Sequence, residues 1–103
     1  MKIQTLTYTK SGASFADSLE ANLYIAGLCS DTSSIQWLEK TKTNEGYSVK
    51  RTWDQETGTL TTTRTWEDSL FEEYLGIISD SNKTDIESDG WTIIETVDHL
   101  SEV

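Results

Sequence analysis

Arg51 and Arg64 each stand two residues before a tryptophan, in the repeated triplets Arg51-Thr52-Trp53 and Arg64-Thr65-Trp66. Together with Trp37 and Glu39 they are the best material in the chain for a ligand pocket, because aromatic walls and convergent guanidinium groups suit a planar or anionic ligand. The competing reading has the tryptophans filling a core and Glu39 neutralising Arg51 at a sheet edge. It is preferred, since aromatics collect on half-buried strands with no ligand to serve. His99 is the only histidine, and with Asp98 beside it a general-base role is chemically available. Its position four residues from the end predicts a frayed tail instead. Cys29 is the only cysteine; without a neighbouring base it reads as a small buried hydrophobe and not as a nucleophile.

One cysteine and one histidine can build neither a disulfide nor a zinc cage. Asp80, Asn82, Asp85, Glu87 and Asp89 supply oxygen ligands of the kind calcium takes. However, the sixth position of that stretch is not glycine, and Trp91 stands where an EF-hand needs its closing glutamate. The chain also lacks G-x-G-x-x-G, Walker, G-x-S-x-G, C-x-x-C and H-E-x-x-H patterns. No catalytic residue, metal or cofactor is therefore assigned.

Charge is the next constraint. The 103 residues carry 8 basic and 18 acidic side chains, for a net charge of -10. Residues 1–52 hold six basic and five acidic groups, and residues 53–103 hold two basic and thirteen acidic ones. That balance argues against direct binding to nucleic acid or anionic lipid, whose phosphates need Lys and Arg. No apolar stretch approaches the roughly 20 residues of a membrane helix, and no basic start leads into an apolar block, so the expected location is cytoplasmic. An acidic second half suits a basic surface on a partner protein. The candidate contacts are Glu67, Asp68, Glu72 and Glu73, followed by Asp80, Asp85, Glu87 and Asp89. The bland alternative is a solubilising surface, which needs no partner.

The chain contains no proline and 35 % hydrophobic residues, enough for one core, and residues 1–103 read as a single domain. Residues 2–9 alternate as a strand. Ser14 and Asp17 fit a capping box for a helix over 15–27, with Phe15, Leu19, Leu23 and Ala26 on its buried face and Gly27 as a left-handed stop. From 34 to 66 three strand-like runs are separated by Asn44-Glu45-Gly46 and by Asp54–Gly58, which predicts a meander. A four-residue loop from Gln55 to Gly58 then sets Trp53 opposite Leu60, Arg51 opposite Thr62 and Val49 opposite Arg64. One face collects Ile35, Trp37, Tyr47, Val49, Trp53, Leu60 and Trp66. The other, carrying Gln36, Lys40, Lys42, Ser48, Lys50, Thr52 and Thr59, Thr61, Thr63 and Thr65, reads as solvated, with Leu38 its apolar exception. Thr65 with Asp68, or Ser69 with Glu72, caps a second predicted helix over 67–79, in which Leu70, Phe71, Tyr74, Leu75 and Ile78 recur at helical spacing. Residues 80–90 read as a polar loop and 91–97 as a last strand.

The expected fold class is therefore α+β: a two-layer antiparallel sheet of four or five strands with two helices on one face, in the order βαβββαβ. A hairpin strand running directly into an amphipathic helix through Arg64–Asp68 resembles the ferredoxin-like proteins that pair into dimeric α+β barrels, including antibiotic-biosynthesis-monooxygenase-like domains. The resemblance implies a homodimer and a pocket between helices and sheet; some members of that family oxidise small aromatic substrates without a cofactor. The leading expectation is a small non-enzymatic interaction protein, of the kind a phage uses as an accessory protein, engaging a basic surface. The alternative is a cofactor-free enzyme or ligand binder of the dimeric α+β barrel type.

Overall fold

The computed structural model describes residues 1–30, 47–69 and 79–99. Within them lie the strands β1 (Lys2–Thr9), β2 (Tyr47–Asp54), β3 (Thr59–Trp66) and β4 (Thr92–His99), and the helices α1 (Ser18–Leu28) and α2 (Asp80–Ser88). The class is α+β: one antiparallel sheet in the order β2–β3–β1–β4, with α1 packed on β2 and β3 and α2 on β4. The first strand of the expected meander, with Ile35, Trp37, Leu38 and Glu39, lies outside the described residues, as does the turn at Asn44. So do Leu70, Phe71, Glu72, Glu73, Tyr74, Leu75 and Ile78 of the second expected helix.

Alternation sets the two faces of the sheet. Gln4, Leu6 and Tyr8 of β1 are buried under the helices, and β3 buries Leu60, Thr62, Arg64 and Trp66 on the same side. The β2–β3 hairpin has the register expected from its loop, pairing Trp53 with Leu60, Arg51 with Thr62 and Val49 with Arg64. Leu6, Tyr8 and Leu60 meet Ala21 and Ile25 of α1, Ile86 of α2 and Trp91 to form the core, and Phe15, Leu28, Cys29, Trp53 and Ile93 pack around it. The opposite face is rich in threonine: Thr5, Thr7 and Thr9 of β1 lie beside Thr63, Thr61 and Thr59 of β3. Thr5 and Thr9 also lie beside Thr96 and Thr92 of β4. Threonine meets both demands of such a face, a branched Cβ for the pleat and a hydroxyl for water.

Helix α1 departs from expectation in its start, its face and its stop. Its N-cap is Asp17, whose Oδ1 accepts the Glu20 N–H at 2.9 Å. Glu20 in turn accepts the Ala16 N–H at 2.9 Å, so the helix begins at Ser18 and not at 15. Ala21 and Ile25 are buried, whereas Leu19 and Leu23 are each 63 % exposed. Residues 19–28 are apolar on nearly every side of the helix, so periodicity alone could not choose a face. The packing selects the one where Ala21 lets the backbone approach the sheet. Gly27 does not stop the helix, which runs on to Leu28 with Cys29 as C-cap.

Residues 80–88 form a helix and not the expected loop. Ser79 caps it, accepting the Asn82 N–H at 3.2 Å, and Asp80 in the first turn complements the helix dipole. Gly90, at φ +99°, ends it, with its N–H on the Glu87 carbonyl at 3.0 Å. Ile86 is its only buried residue, too sparse an apolar signal to show helical period. Thr65 is a paired strand residue opposite Ser48 and Ile3, which removes it as a helix cap.

Gly58, at φ +67°, lies against the Lys10 carbonyl, and a Cβ there would collide with that oxygen. The Gly58 carbonyl also accepts the Lys10 N–H at 3.0 Å. Gly58→Ala is expected to cost about 2–3 kcal/mol and to lower Tm by roughly 10 °C or more. Gly12, at φ +85° with open space around it, should cost only about 1 kcal/mol when replaced by Ala. Thermal melts of the two variants, read by tryptophan fluorescence, check the contrast.

Candidate functional site

Two features of the described residues have chemistry to offer: a polar row under the helices and an acidic flank beside them. The row crosses the covered face of the sheet, where Gln4 and Thr62 are almost fully buried and Arg64 is 8 % exposed. Gln4 is the register partner of Arg64 and donates to Glu95 Oε2 at 2.6 Å. Arg64 Nε donates to the Tyr47 hydroxyl at 3.0 Å. Arg51 lies one register step further along, paired with Thr62. Burial pushes the Tyr8 phenol above its usual value, and the positive charges of Arg64 and Arg51 pull in the opposite direction. A charged hydrogen bond is the expected condition for keeping a guanidinium under a helix layer.

The structure brings Arg51 and Arg64 together on this face. Trp66 and Trp53 lie on that face too, at the two ends of the row, one next to Arg64 and the other next to Arg51, and apart from each other. Trp66, fully buried and edge-on to Tyr47 at 4.6 Å between ring centres, is six residues of β3 from Leu60, the partner of Trp53. At about 3.3 Å per residue that separates the two indoles' strand positions by roughly 20 Å. Trp53 belongs to a different cluster, with Phe15 against it at 5.1 Å and Trp91 and Tyr24 at 6.3 and 5.4 Å from Phe15. Gln55 ties this cluster together: its Oε1 accepts from Trp53 Nε1 and the Phe15 N–H, and its Nε2 donates to the Ala13 carbonyl. Trp37 and Glu39 lie outside the described residues. Sequence reasoning missed Gln4, Thr62 and Glu95. The available signal was Gln4 sharing its parity with Leu6 and Tyr8 on β1.

The acidic candidates divide by what they touch. Asp89 Oδ2 accepts from the Tyr24 hydroxyl at 2.9 Å, Trp91 Nε1 at 3.0 Å and Lys10 Nζ at 3.4 Å, linking α1, the end of α2 and the chain after β1. Asp85 Oδ2 accepts from the Ser30 N–H and hydroxyl at 2.9 and 2.7 Å. Asp68 holds the amino group of Met1 at 2.8 Å and His99 Nε2 at 3.0 Å. His99 is thus the paired end of β4, opposite Lys2, and not a frayed tail; the carboxylate it meets is Asp68, while Asp98 points to the other face. Asp68, Asp85 and Asp89 therefore serve the fold. Glu67, Asp80 and Glu87 are exposed and stay available to a partner, as does Asp98.

These residues concentrate on one side of the molecule. From Ser79 to His99, six carboxylates accompany one lysine, whereas residues 1–30 hold two of each. Because α2 packs on β4, that excess gathers toward the β4 side of the sheet, with Asp98 on the face away from the helices. Among the described residues no group of His, Cys, Asp and Glu is arranged to hold a metal. Cys29 is half-buried, with its Sγ on the Ile25 carbonyl at 3.5 Å. Comparison with known proteins returns no match to a family, to a characterised sequence or to a solved structure.

Two outcomes follow from this geometry. The Thr62 hydroxyl is buried with no hydrogen-bond partner among the described residues, so Thr62→Val should leave Tm unchanged or raise stability by up to about 1 kcal/mol. Tyr47→Phe, which deletes the Arg64 acceptor, should cost about 1.5–3 kcal/mol. Urea unfolding of both variants tests the pair.

The second outcome concerns acid. The Met1 amine and then His99 hold Asp68 below the ordinary carboxylate value, Ser30 does the same to Asp85, and Tyr24 chiefly does it to Asp89. Depressed folded-state values mean that the unfolded chain takes up protons first. Their stabilisation is complete above the ordinary value of 3.8 and is lost as pH falls through the lower folded-state values. The urea midpoint should therefore drop as pH is lowered through 3.8 and below it, and Asp89→Asn should lower the neutral-pH midpoint and flatten that drop.

Proposed function

We propose that this protein is a small non-enzymatic interaction protein whose acidic flank engages a basic surface on another protein. The observation that carries the reading is the separation of the flank's carboxylates into two groups. Asp85 and Asp89 are spent on internal hydrogen bonds, while Asp80 and Glu87 of α2 and Asp98 of β4 are exposed, Asp98 on the face of the sheet away from the helices. An excess of that sign steers a basic partner toward one side of the molecule and disfavours acidic ones. A cytoplasmic setting and a phage-type accessory role, blocking a host factor through its basic surface, belong to the same proposal. The ferredoxin-like layout does too, and the β2–β3–β1–β4 order with all-antiparallel pairing supports it.

A second reading is favoured by the row of half-buried Arg51 with buried Arg64, Tyr8 and Thr62. It is a cofactor-free enzyme or ligand binder of the dimeric α+β barrel type, working as a homodimer with an anionic or planar ligand between helices and sheet. Its mark would be a ligand-dependent rise in Tm that Arg51→Ala abolishes.

An NMR titration with decalysine tests the leading reading. Shift changes should map to α2 and β4, and the apparent Kd should weaken at least tenfold between about 20 and 200 mM salt. The triple variant Asp80→Lys, Glu87→Lys, Asp98→Lys should abolish binding, and Arg51→Ala should leave it intact. Shifts spread evenly over the molecule, or binding that survives the triple reversal, would refute the proposal.

A further inference from the structure

Among the described residues β4 is an edge of the sheet, and the sequence pattern predicts no strand to pair beside it. At the other edge, beside β2, the run over 34–43 is expected to add a strand. β4 has β1 on one side and no strand on the other among the described residues. Natural edge strands are kept from pairing by shortness, bulges, proline, lysine or other charged side chains, and of these β4 has only the carboxylates of Glu95 and Asp98. It is eight residues long, pairs with β1 at all eight positions without a bulge, and its sequence TIIETVDH contains neither proline nor lysine. Ile94 and Val97 are 59 % and 38 % exposed, on opposite faces. The strand therefore offers unpaired backbone groups and an apolar contact on each face.

Its charges select the occupant. Glu95 and Asp98 lie within the strand, and α2 beside it adds Asp80 and Glu87. Two copies joined edge to edge would bring two such flanks together, and like charges brought together across strands are destabilising. Glu95 and Asp98 are three positions apart and so project from opposite faces of β4, and a basic partner strand meets a carboxylate on whichever face its Lys or Arg side chains take.

We infer that β4 is a docking edge that takes up an extended basic segment of a partner protein as a fifth strand beside it. The inference rests on the proposed acidic-flank function and adds its mode: main-chain pairing supplies affinity, and alternate side chains supply selectivity. The partner segment carries Lys or Arg at alternate positions, with β-branched residues between them.

Two ten-residue peptides of equal charge test it, one alternating Lys and Val and the other alternating Lys and Pro, because proline lacks the N–H that strand addition requires. The Lys-Val peptide should bind at low salt at least tenfold more tightly than the Lys-Pro peptide and should slow hydrogen exchange at alternate amides of β4. Ile94→Lys, at an exposed position, should weaken the Lys-Val peptide at least tenfold, while Glu56→Lys in the β2–β3 turn should weaken it less. If the two peptides bind equally and β4 exchange is unchanged, the docking edge is overturned and the acidic-flank reading stands. If neither peptide binds at low salt, both fall. If β4 amides are protected without peptide in a particle of twice the mass, a second copy occupies the edge and the inference is overturned.

Discussion

The fold is organised by β1, which like β3 has neighbours on both sides over its entire length and which joins the β2–β3 hairpin to β4. All eight of its residues pair with β3 and the same eight pair with β4, so its alternation is imposed on the whole sheet. With Gln4, Leu6 and Tyr8 turned toward the helices, β3 must present Leu60, Thr62, Arg64 and Trp66 on that side, and β4 must present Ile93, Glu95 and Val97. A one-residue slip would exchange the core for the threonine face. The face that receives the helices thus inherits a polar stripe with its apolar residues, because Gln4 shares the parity of Leu6.

That inheritance explains why charged groups are tolerated inside. Arg64 beneath the helix layer needs a partner within hydrogen-bond reach, and Tyr47 reaches it from β2, while Gln4 is its register neighbour on β1. The Gln4 amide then passes a hydrogen bond to Glu95, so a chain of polar contacts runs across the sheet. Asp89 performs the equivalent task at the end of the sheet where β1 ends and β4 begins. One oxygen collects a phenol, an indole and an ammonium from three parts of the chain. The two networks anchor opposite ends of the same layer, with the apolar core of Leu6, Leu60, Ile25 and Ile86 between them.

How much of this was legible in the sequence depends on whether a local signal determined the outcome. The β2–β3 register was legible, because loop length and the glycine at its end determine which residues face each other, and Arg51 and Arg64 accordingly share a face as expected. The side of α1 that packs was not, because a helix apolar all round offers several acceptable faces and only its approach to β2 and β3 chooses Ala21 and Ile25. Helix α2 was hidden for the opposite reason: it buries one residue, and its stability comes from Ser79, from Ile86 and from Asp85 reaching Ser30, a partner 55 positions away. The tryptophans were legible as buried or half-buried groups but not as two separate clusters, since that separation is set by how far apart their positions lie along the strands. His99 looked like a tail because its partners, Asp68 and Lys2, are distant in sequence.

The division of labour among the carboxylates bears on function more than their number does. A solubilising surface has no reason to place its charge on one side, yet the excess follows α2 and β4 while β1 and α1 remain balanced. The fold explains part of this, since Asp85 and Asp89 are acceptors that α2 requires. Asp80 adds only its place in the first turn of α2, and no described contact uses Glu87 or Asp98 to hold the fold. The residual acidity therefore lies alongside a sheet edge that has charge but no shortness, bulge, proline or lysine to defend it. In the reading proposed above, that negative charge would repel a second copy of the same edge and leave it open to a basic strand, so one compositional bias would both prevent self-pairing and set the kind of partner the edge accepts.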